Sequence, residues 1–240
     1  MFRFFRVIRK KYFRQKKIRK YLAYAGGEIF LVVLGILIAL QINNWNESRK
    51  QNLKIITGLQ ELKANLEVDN SLINTVKSQI VKDLDLQDKI IKTLEDKKLL
   101  DSSFTEHLGR IMLMRRAKFV ENGYNMLKSI GLEQIKNIEL RNLIVFHYDT
   151  TVFQLLKDID DDEDEFKNLL LPFIRKNFTD WKFGEIGIPR NYNTLSNDLE
   201  FKIMLKVNYL NKSSTLDRLN MAEKEIYRLI KLIDNYTENN

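Results

Sequence analysis

Residues 23–47, AYAGGEIFLVVLGILIALQINNWNE, decide how this chain is organised. From Tyr21 to Ile42 there are 22 residues and one charge, Glu28. A helix rising about 1.5 Å per residue reaches roughly 33 Å over that length, enough for a hydrocarbon core of about 30 Å. The wholly apolar part, Ile29 to Leu40, is only twelve residues long. A run that short also suits the h-region of a signal peptide or a buried core helix. Three features select a membrane anchor. Residues 1–20 hold ten Lys or Arg and no acid, a flank that stays on the cytoplasmic side. On the exit side Gln41, Asn43, Asn44 and Trp45 suit a headgroup interface, with Trp45 as its aromatic anchor. No small-x-small cleavage site follows Leu40, and no Cys is present for lipid attachment. The expectation is an uncleaved signal anchor: a basic cytoplasmic head over residues 1–20, a transmembrane helix over 21–45, and an extracytoplasmic domain over 46–240.

Within the span, Ala23 and Gly27 are four residues apart, as are Gly35 and Ala39. Small residues at that spacing let two membrane helices approach closely, so these four are candidates for helix packing. Glu28 is the one intramembrane acid, either a functional group or a solvated residue at the cytoplasmic boundary. In the head, Phe2, Phe5, Ile8, Tyr12 and Phe13 fall close to one helical face. That pattern fits either an amphipathic helix on the inner leaflet or a partly ordered topogenic tail.

The net charge of +8 belongs to the head. Residues 21–240 carry 30 basic and 32 acidic side chains, a net of −2. The basicity therefore orients the anchor and attracts anionic lipid, and no nucleic-acid partner is expected. The absence of Cys excludes disulfides, thiolate metal sites and a cysteine nucleophile. Two Pro and nine Gly in 240 residues favour long helices.

Beyond the anchor, Leu59, Leu62, Leu66, Ile73, Val76, Ile80, Ile90 and Leu94 follow alternating steps of three and four. This is a coiled-coil-like stalk, broken by Asp69, Asp83 and Gln87, which are either water-facing positions of a bundle or register-setting polar layers. Asp101, Ser102, Ser103 and Glu106 read as a capping box opening a short helix from Phe104 to Arg115. A second short helix spans Gly123 to Ile130, closed by Gly131. Asn137 caps a long helix with the seam Val145, Tyr148, Val152, Leu155, Ile159, Phe166, Leu169 and Phe173, bent or ended at Pro172. The aperiodic stretch 177–196 offers Trp181, Phe183 and Tyr192 either as a contact surface or as a plug for the end of the bundle. The last helix, from Asp198 to about Asp234, carries Leu205, Tyr209, Leu216, Leu219, Ile226, Ile230 and Ile233, with Lys212 and Glu223 interrupting. The expected fold class is all-α: one N-terminal transmembrane helix followed by an extracytoplasmic antiparallel helical bundle.

Chemistry is sparse. His107 and His147 lack a second His at i+4 and any HExxH arrangement, so both read as structural. The run Asp158 to Glu165 resembles a calcium loop but places Glu163 where the turn glycine belongs and Leu169 where the last acid belongs. It reads as a solvated acidic face, with weak divalent-ion binding as the alternative. No GxSxG, SxxK or GxxxxGK[ST] occurs. The expectation is no catalytic residue, no cofactor and no metal.

GEIFLVVLGILIALQINNWNESRK, preceded by the head FFRVIRKK, resembles a family of small single-pass envelope proteins of Bacteroidota-type bacteria whose function is unknown. A second patch agrees with it: Tyr124, Leu127, Lys128, Ser129, Gly131, Ile135, Asn137, Leu140 and Arg141, with Ile130 where a second small residue is usual. The resemblance covers essentially the whole chain and implies a bacterial inner-membrane protein with a periplasmic main domain. It implies no activity. The expected role is a non-catalytic adaptor or scaffold acting through protein contacts. Its partners would be membrane lipid and either another protein or a second copy, held through the membrane helix and stalk. The alternative is an extracytoplasmic sensor or ligand-binding domain signalling through a membrane partner, with a membrane-tethered hydrolase third.

Overall fold

A computed structural model of the chain describes residues 18–96 and 102–239. The head before Ile18, and Asp101 of the expected capping box, lie outside the described residues. The chain divides into two compact units, residues 1–54 and 55–240.

Helix α1 (Ile18–Glu95) begins in the first unit and supplies the first long element of the second. From Leu22 to Lys50 every residue but the half-buried Ala25 is exposed, the apolar run included. Among the described residues this is one helix long and apolar enough to cross a membrane.

The second unit is mostly helical. After α1 come α2 (Ser102–Leu108) and α3 (Asn122–Ile130), then α4 (Ile138–Phe146), α5 (Phe153–Glu165) and α6 (Leu171–Asn177). The last three form one rod, joined without interruption by π-helical turns at His147–Val152 and Phe166–Leu170. Strands β1 (Phe178–Lys182) and β2 (Ile186–Pro189), α7 (Tyr192–Asn197) and α8 (Leu199–Glu238) complete the chain.

The cap expected at Asn137 forms: its side chain accepts Leu140 N–H at 3.0 Å. Asp198, read from the sequence only as the start of the last helix, caps it as well, its side chain accepting Phe201 N–H at 3.0 Å. Gly131 N–H closes α3 on Leu127 O at 3.0 Å. The first short helix ends at Leu108 rather than Arg115, and residues 113–121 run on without helix.

Cross-links fix the directions of the long elements. Lys63 bonds Asp234, Lys77 bonds Glu223 and Lys206 bonds Glu95, each at 2.6 Å, so α8 runs antiparallel to α1. Arg228 to Glu139 at 2.6 Å, His147 to Glu225 at 3.2 Å and Lys212 to Asp162 at 3.0 Å make α8 antiparallel to the α4–α6 rod as well. The rod and α1 are therefore parallel, a correction to the simple antiparallel expectation. A crossover makes this possible: residues 113–121 and α3 return along α1, with Arg115 at Asp83, Val120 at Asp69, Gly123 at Asn65 and Leu127 beside Gly58. This returning segment is termed the strap.

The α1 seam is longer and less broken than its apolar residues suggest. Ile55, Leu59, Leu62, Leu66, Asp69, Ile73, Val76, Ile80, Gln87, Ile90 and Leu94 are all buried. Asp69 and Gln87 thus do not face water. Asp83 is nearly covered too, paired with Arg115. In the rod, Leu170 replaces Leu169 in the core, because each π turn takes in an extra residue and moves the seam by one position. Pro172 neither ends nor breaks the rod: it is the second residue of α6, in the first turn after the second π turn.

All-α holds for most of the second unit but not for residues 178–189, which form an antiparallel two-stranded hairpin. In its loop, Phe183-Gly184-Glu185, Glu185 N–H closes a turn on Lys182 O at 3.0 Å, and Gly184 at φ 78° takes the third turn position, where a positive φ favours glycine.

Two apolar cores result. One joins Ile55–Ile80 of α1, the strap, α4–α5 and the C-terminal half of α8. The other joins Ile90 and Leu94, α2, α6, the hairpin and the N-terminal end of α8. Between them lies an ionic layer in which Lys212, 0% exposed, donates to Leu113 O and Asp162 Oδ2, both at 3.0 Å. Arg115 and Asp83 pair beside it, Arg218 meets Asp158 at 3.2 Å, and Asn208 and Asn211 donate to Glu165 at 2.8 and 2.6 Å. Part of the acidic run Asp158–Glu165 therefore faces inward against cations and amides, rather than forming only a solvated face.

Candidate functional site

Three regions hold the residues singled out from the sequence or by burial. The first is the apolar part of α1. Ala23, Gly27, Gly35 and Ala39 are all exposed, and a Cβ added at Gly27 or Gly35 meets nothing within 4 Å. At about 100° per residue the pair Ala23/Gly27 and the pair Gly35/Ala39 lie on faces roughly 120° apart. The four do not make one stripe. Glu28 is exposed between them. Trp45 is 64% exposed, with the Arg49 guanidinium 6.0 Å from its ring centroid.

The second region is the hairpin. Trp181 packs edge-on against Phe178 at 4.8 Å, and Tyr192 edge-on against Phe104 at 5.6 Å; both side chains line the second core. Only Phe183 stays half exposed, at 50%, resting 5.4 Å from Phe166. The three expected contact residues are therefore divided: two plug the end of the helices and one faces out.

The third region was not singled out as a site by sequence reasoning. Asp69 from α1 and His147 from the first π turn are both 0% exposed. Asp69 Oδ1 accepts Val120 N–H from the strap at 2.9 Å, and Tyr148 Oη donates to Val120 O at 3.3 Å. His147 Nδ1 lies 3.2 Å from Glu225 Oε2 on α8. Tyr148 stacks on Tyr124 at 4.5 Å with rings 8° from parallel, and His147 meets Tyr148 edge-on at 5.1 Å. Tyr124 Oη donates to Asp149 at 2.9 Å, while Lys128 sits over the Tyr124 ring at 4.4 Å.

Burial dominates the electrostatics of this cluster. Loss of water pushes the Asp69 carboxyl up to about 6, against the opposing pull of Val120 N–H and His147. Burial, followed by the bond to Asp149, pushes Tyr124 up to about 12, and burial raises Tyr148 further. Both tyrosines are thus fixed donors at neutral pH. One signal in the sequence points to this cluster: Asp69 is in phase with the three-four alternation, so a polar side chain stands where the helix turns inward. Among the described residues no group of three or more His, Asp or Glu is placed to hold a metal ion.

Residues 28–108 match the model of a family of unknown function (DUF6090). The match runs from Glu28 through the rest of α1 to the end of α2, and the chain is similar to that family over this third of its length. No curated protein and no solved structure matches it.

Proposed function

We propose that this chain is a non-catalytic membrane-anchored protein of the bacterial cell envelope that works through protein contacts, as an adaptor or scaffold. The observation that carries the reading is the apolar run of α1, exposed along its length and following a head with ten basic residues and no acid. Exposed apolar surface on that scale is stable in lipid and costly in water. In this reading residues 1–20 lie in the cytoplasm, residues 21–45 cross the inner membrane, and residues from about 46 onward form a periplasmic domain. Trp45 and Arg49 sit at the outer interface. Ala23/Gly27 or Gly35/Ala39, but not both, meet a partner helix.

Sensing of a small ligand with the hairpin as its mouth gains little, since Trp181 and Tyr192 fill the second core. The topology is tested by single cysteines in the cysteine-free chain. With the outer membrane permeabilised, Cys at Ser102 reacts with an impermeant thiol reagent and Cys at Gln15 does not; the reverse pattern refutes the topology. Crosslinking and co-purification of the full-length protein then test the adaptor role. A stoichiometric partner is expected, and recovery of the chain alone or with copies of itself speaks for sensing.

A further inference from the structure

No Lys or Arg stands nearer to Glu28 than Lys20 and Arg49, eight and twenty-one residues away. An ion pair along one helix needs a partner three or four residues off, and Lys20 is roughly 12 Å away along the axis. Among the described residues Glu28 accordingly has no ion-pair partner, and its side chain is exposed. Depth makes this lone charge costly. With Asn43 at the outer edge of the hydrocarbon, the fifteen residues back to Glu28 cover about 22 Å. Roughly 8 Å of a core about 30 Å thick then separates Glu28 from the cytoplasmic headgroups. Long Lys and Arg side chains snorkel over such a distance, whereas the Glu side chain is shorter. An acid held there calls for a cationic partner from another helix.

The rest of that face suits one. At about 100° per residue Gly35 and Ala39 lie within roughly 20° of Glu28, whereas Gly27 and Ala23 lie roughly 100° and 140° away. Close approach of a second helix and cover for the acid therefore coincide on one of the two small-residue pairs and not on the other. Beside the acid runs an apolar groove lined by Ala25, Ile29, Val32 and Val33. The hydrocarbon stem of a Lys or Arg fits such a groove with its charged end at the carboxylate. A second copy is the wrong occupant. Two copies inserted in the same direction, related by an axis along the bilayer normal, bring Glu28 against Glu28 at one depth, where like charges repel strongly.

Resting on the membrane-anchor reading above, we propose that Glu28, Gly35 and Ala39 form the docking face for a transmembrane helix of another protein, one that carries a Lys or Arg at the depth of Glu28. The ammonium or guanidinium pairs with the carboxylate. Two to three turns further along, Gly35 and Ala39 let the two backbones meet. The acid thus sets both the depth and the identity of the partner, and the small residues set the closeness.

The test is photocrosslinking of the full-length chain in the cells that make it. A photoreactive residue replaces Val32, which borders Glu28, or Leu37, on the opposite face. Val32 is expected to give one adduct with a membrane protein, identified by mass spectrometry, whose span holds a Lys or Arg in its cytoplasmic third. Leu37 is expected to give none. Glu28→Leu should cut the Val32 adduct several-fold, and Glu28→Asp should retain most of it. Glu28→Lys should abolish the adduct, and Glu in place of the partner's cation should then restore it. An adduct of the chain with itself, adducts with lipid alone, a partner span without a cation, or an unchanged yield in Glu28→Leu overturns the proposal. Carbonate extraction of the same membranes reads the anchor separately. A chain washed off refutes the membrane reading itself, whereas a chain retained without a Val32 adduct refutes only the docking face.

Discussion

At Asp69 a carboxylate is held where water does not reach, and its linkage to stability has a definite sign. Its pKa rises on folding from 3.8 to about 6, so the folded chain binds the proton more tightly than the unfolded chain. Stability contributed by this group is therefore greatest at low pH and is lost as pH rises through about 6, by up to about 3 kcal/mol. Asp69→Asn keeps an oxygen for Val120 N–H and removes the charge. The variant is expected to match or exceed the parent in urea unfolding at pH 7.5, and the difference between them should shrink as pH falls below 6 and close only below the unfolded value of 3.8. A variant weaker by the same amount across that range would contradict the sign. Lys212 is the opposite case, a buried cation with two good acceptors. Lys212→Met strands Asp162 and should cost about 3–5 kcal/mol in the same assay. Lys212→Met with Asp162→Leu should recover much of that loss, because it removes both charges together.

Among the elements, the strap depends on one close approach. A Cβ at Gly123 would lie 2.4 Å from the backbone nitrogen of Leu62, and neither backbone can yield. Gly123→Ala should therefore lift α3 from α1, lower the unfolding midpoint by several degrees and speed amide exchange over residues 119–127. Asn137→Ala, which removes only a cap, should cost about 1 kcal/mol. The contrast between elements explains what sequence reading could reach. The α1 seam was legible because Leu59, Leu62, Leu66, Ile73, Val76, Ile80, Ile90 and Leu94 repeat with the helix. The same rule left Asp69 and Gln87 open between a water-facing position and a buried polar layer, and the structure buries both. Periodicity scores polarity, whereas Asp69 turns inward to serve a non-helical strap whose N–H groups have no helical partners, and Gln87 donates to Leu205 O at 2.6 Å. The hairpin was hidden because its strands have five and four residues and no regular alternation of burial, leaving the Phe183-Gly184-Glu185 loop as its one local signal. The Asp69–His147–Glu225 cluster draws one residue from each of three distant elements, and no spacing rule joins residues that far apart.

For the whole molecule, the apolar helix separates a membrane reading from any other. Lys in place of both Val33 and Leu37, near the middle of the run, should each cost about 2.5–3.5 kcal/mol of insertion and release the chain from the membrane fraction. Retention of the double variant in carbonate-washed membranes would count against a spanning helix. Within residues 55–240, the ionic layer has a mechanical consequence. One way for a helical unit to pass a signal along its axis is to slide one helix past another like a piston. Here a one-turn slide of α8, about 5.4 Å, would pull Lys212 from Asp162 and Leu113, Arg218 from Asp158, and both asparagines from Glu165, with no second set of partners one turn away on the acidic helix that restores them all. The layer therefore acts as a latch against axial travel of α8 along the acidic helix.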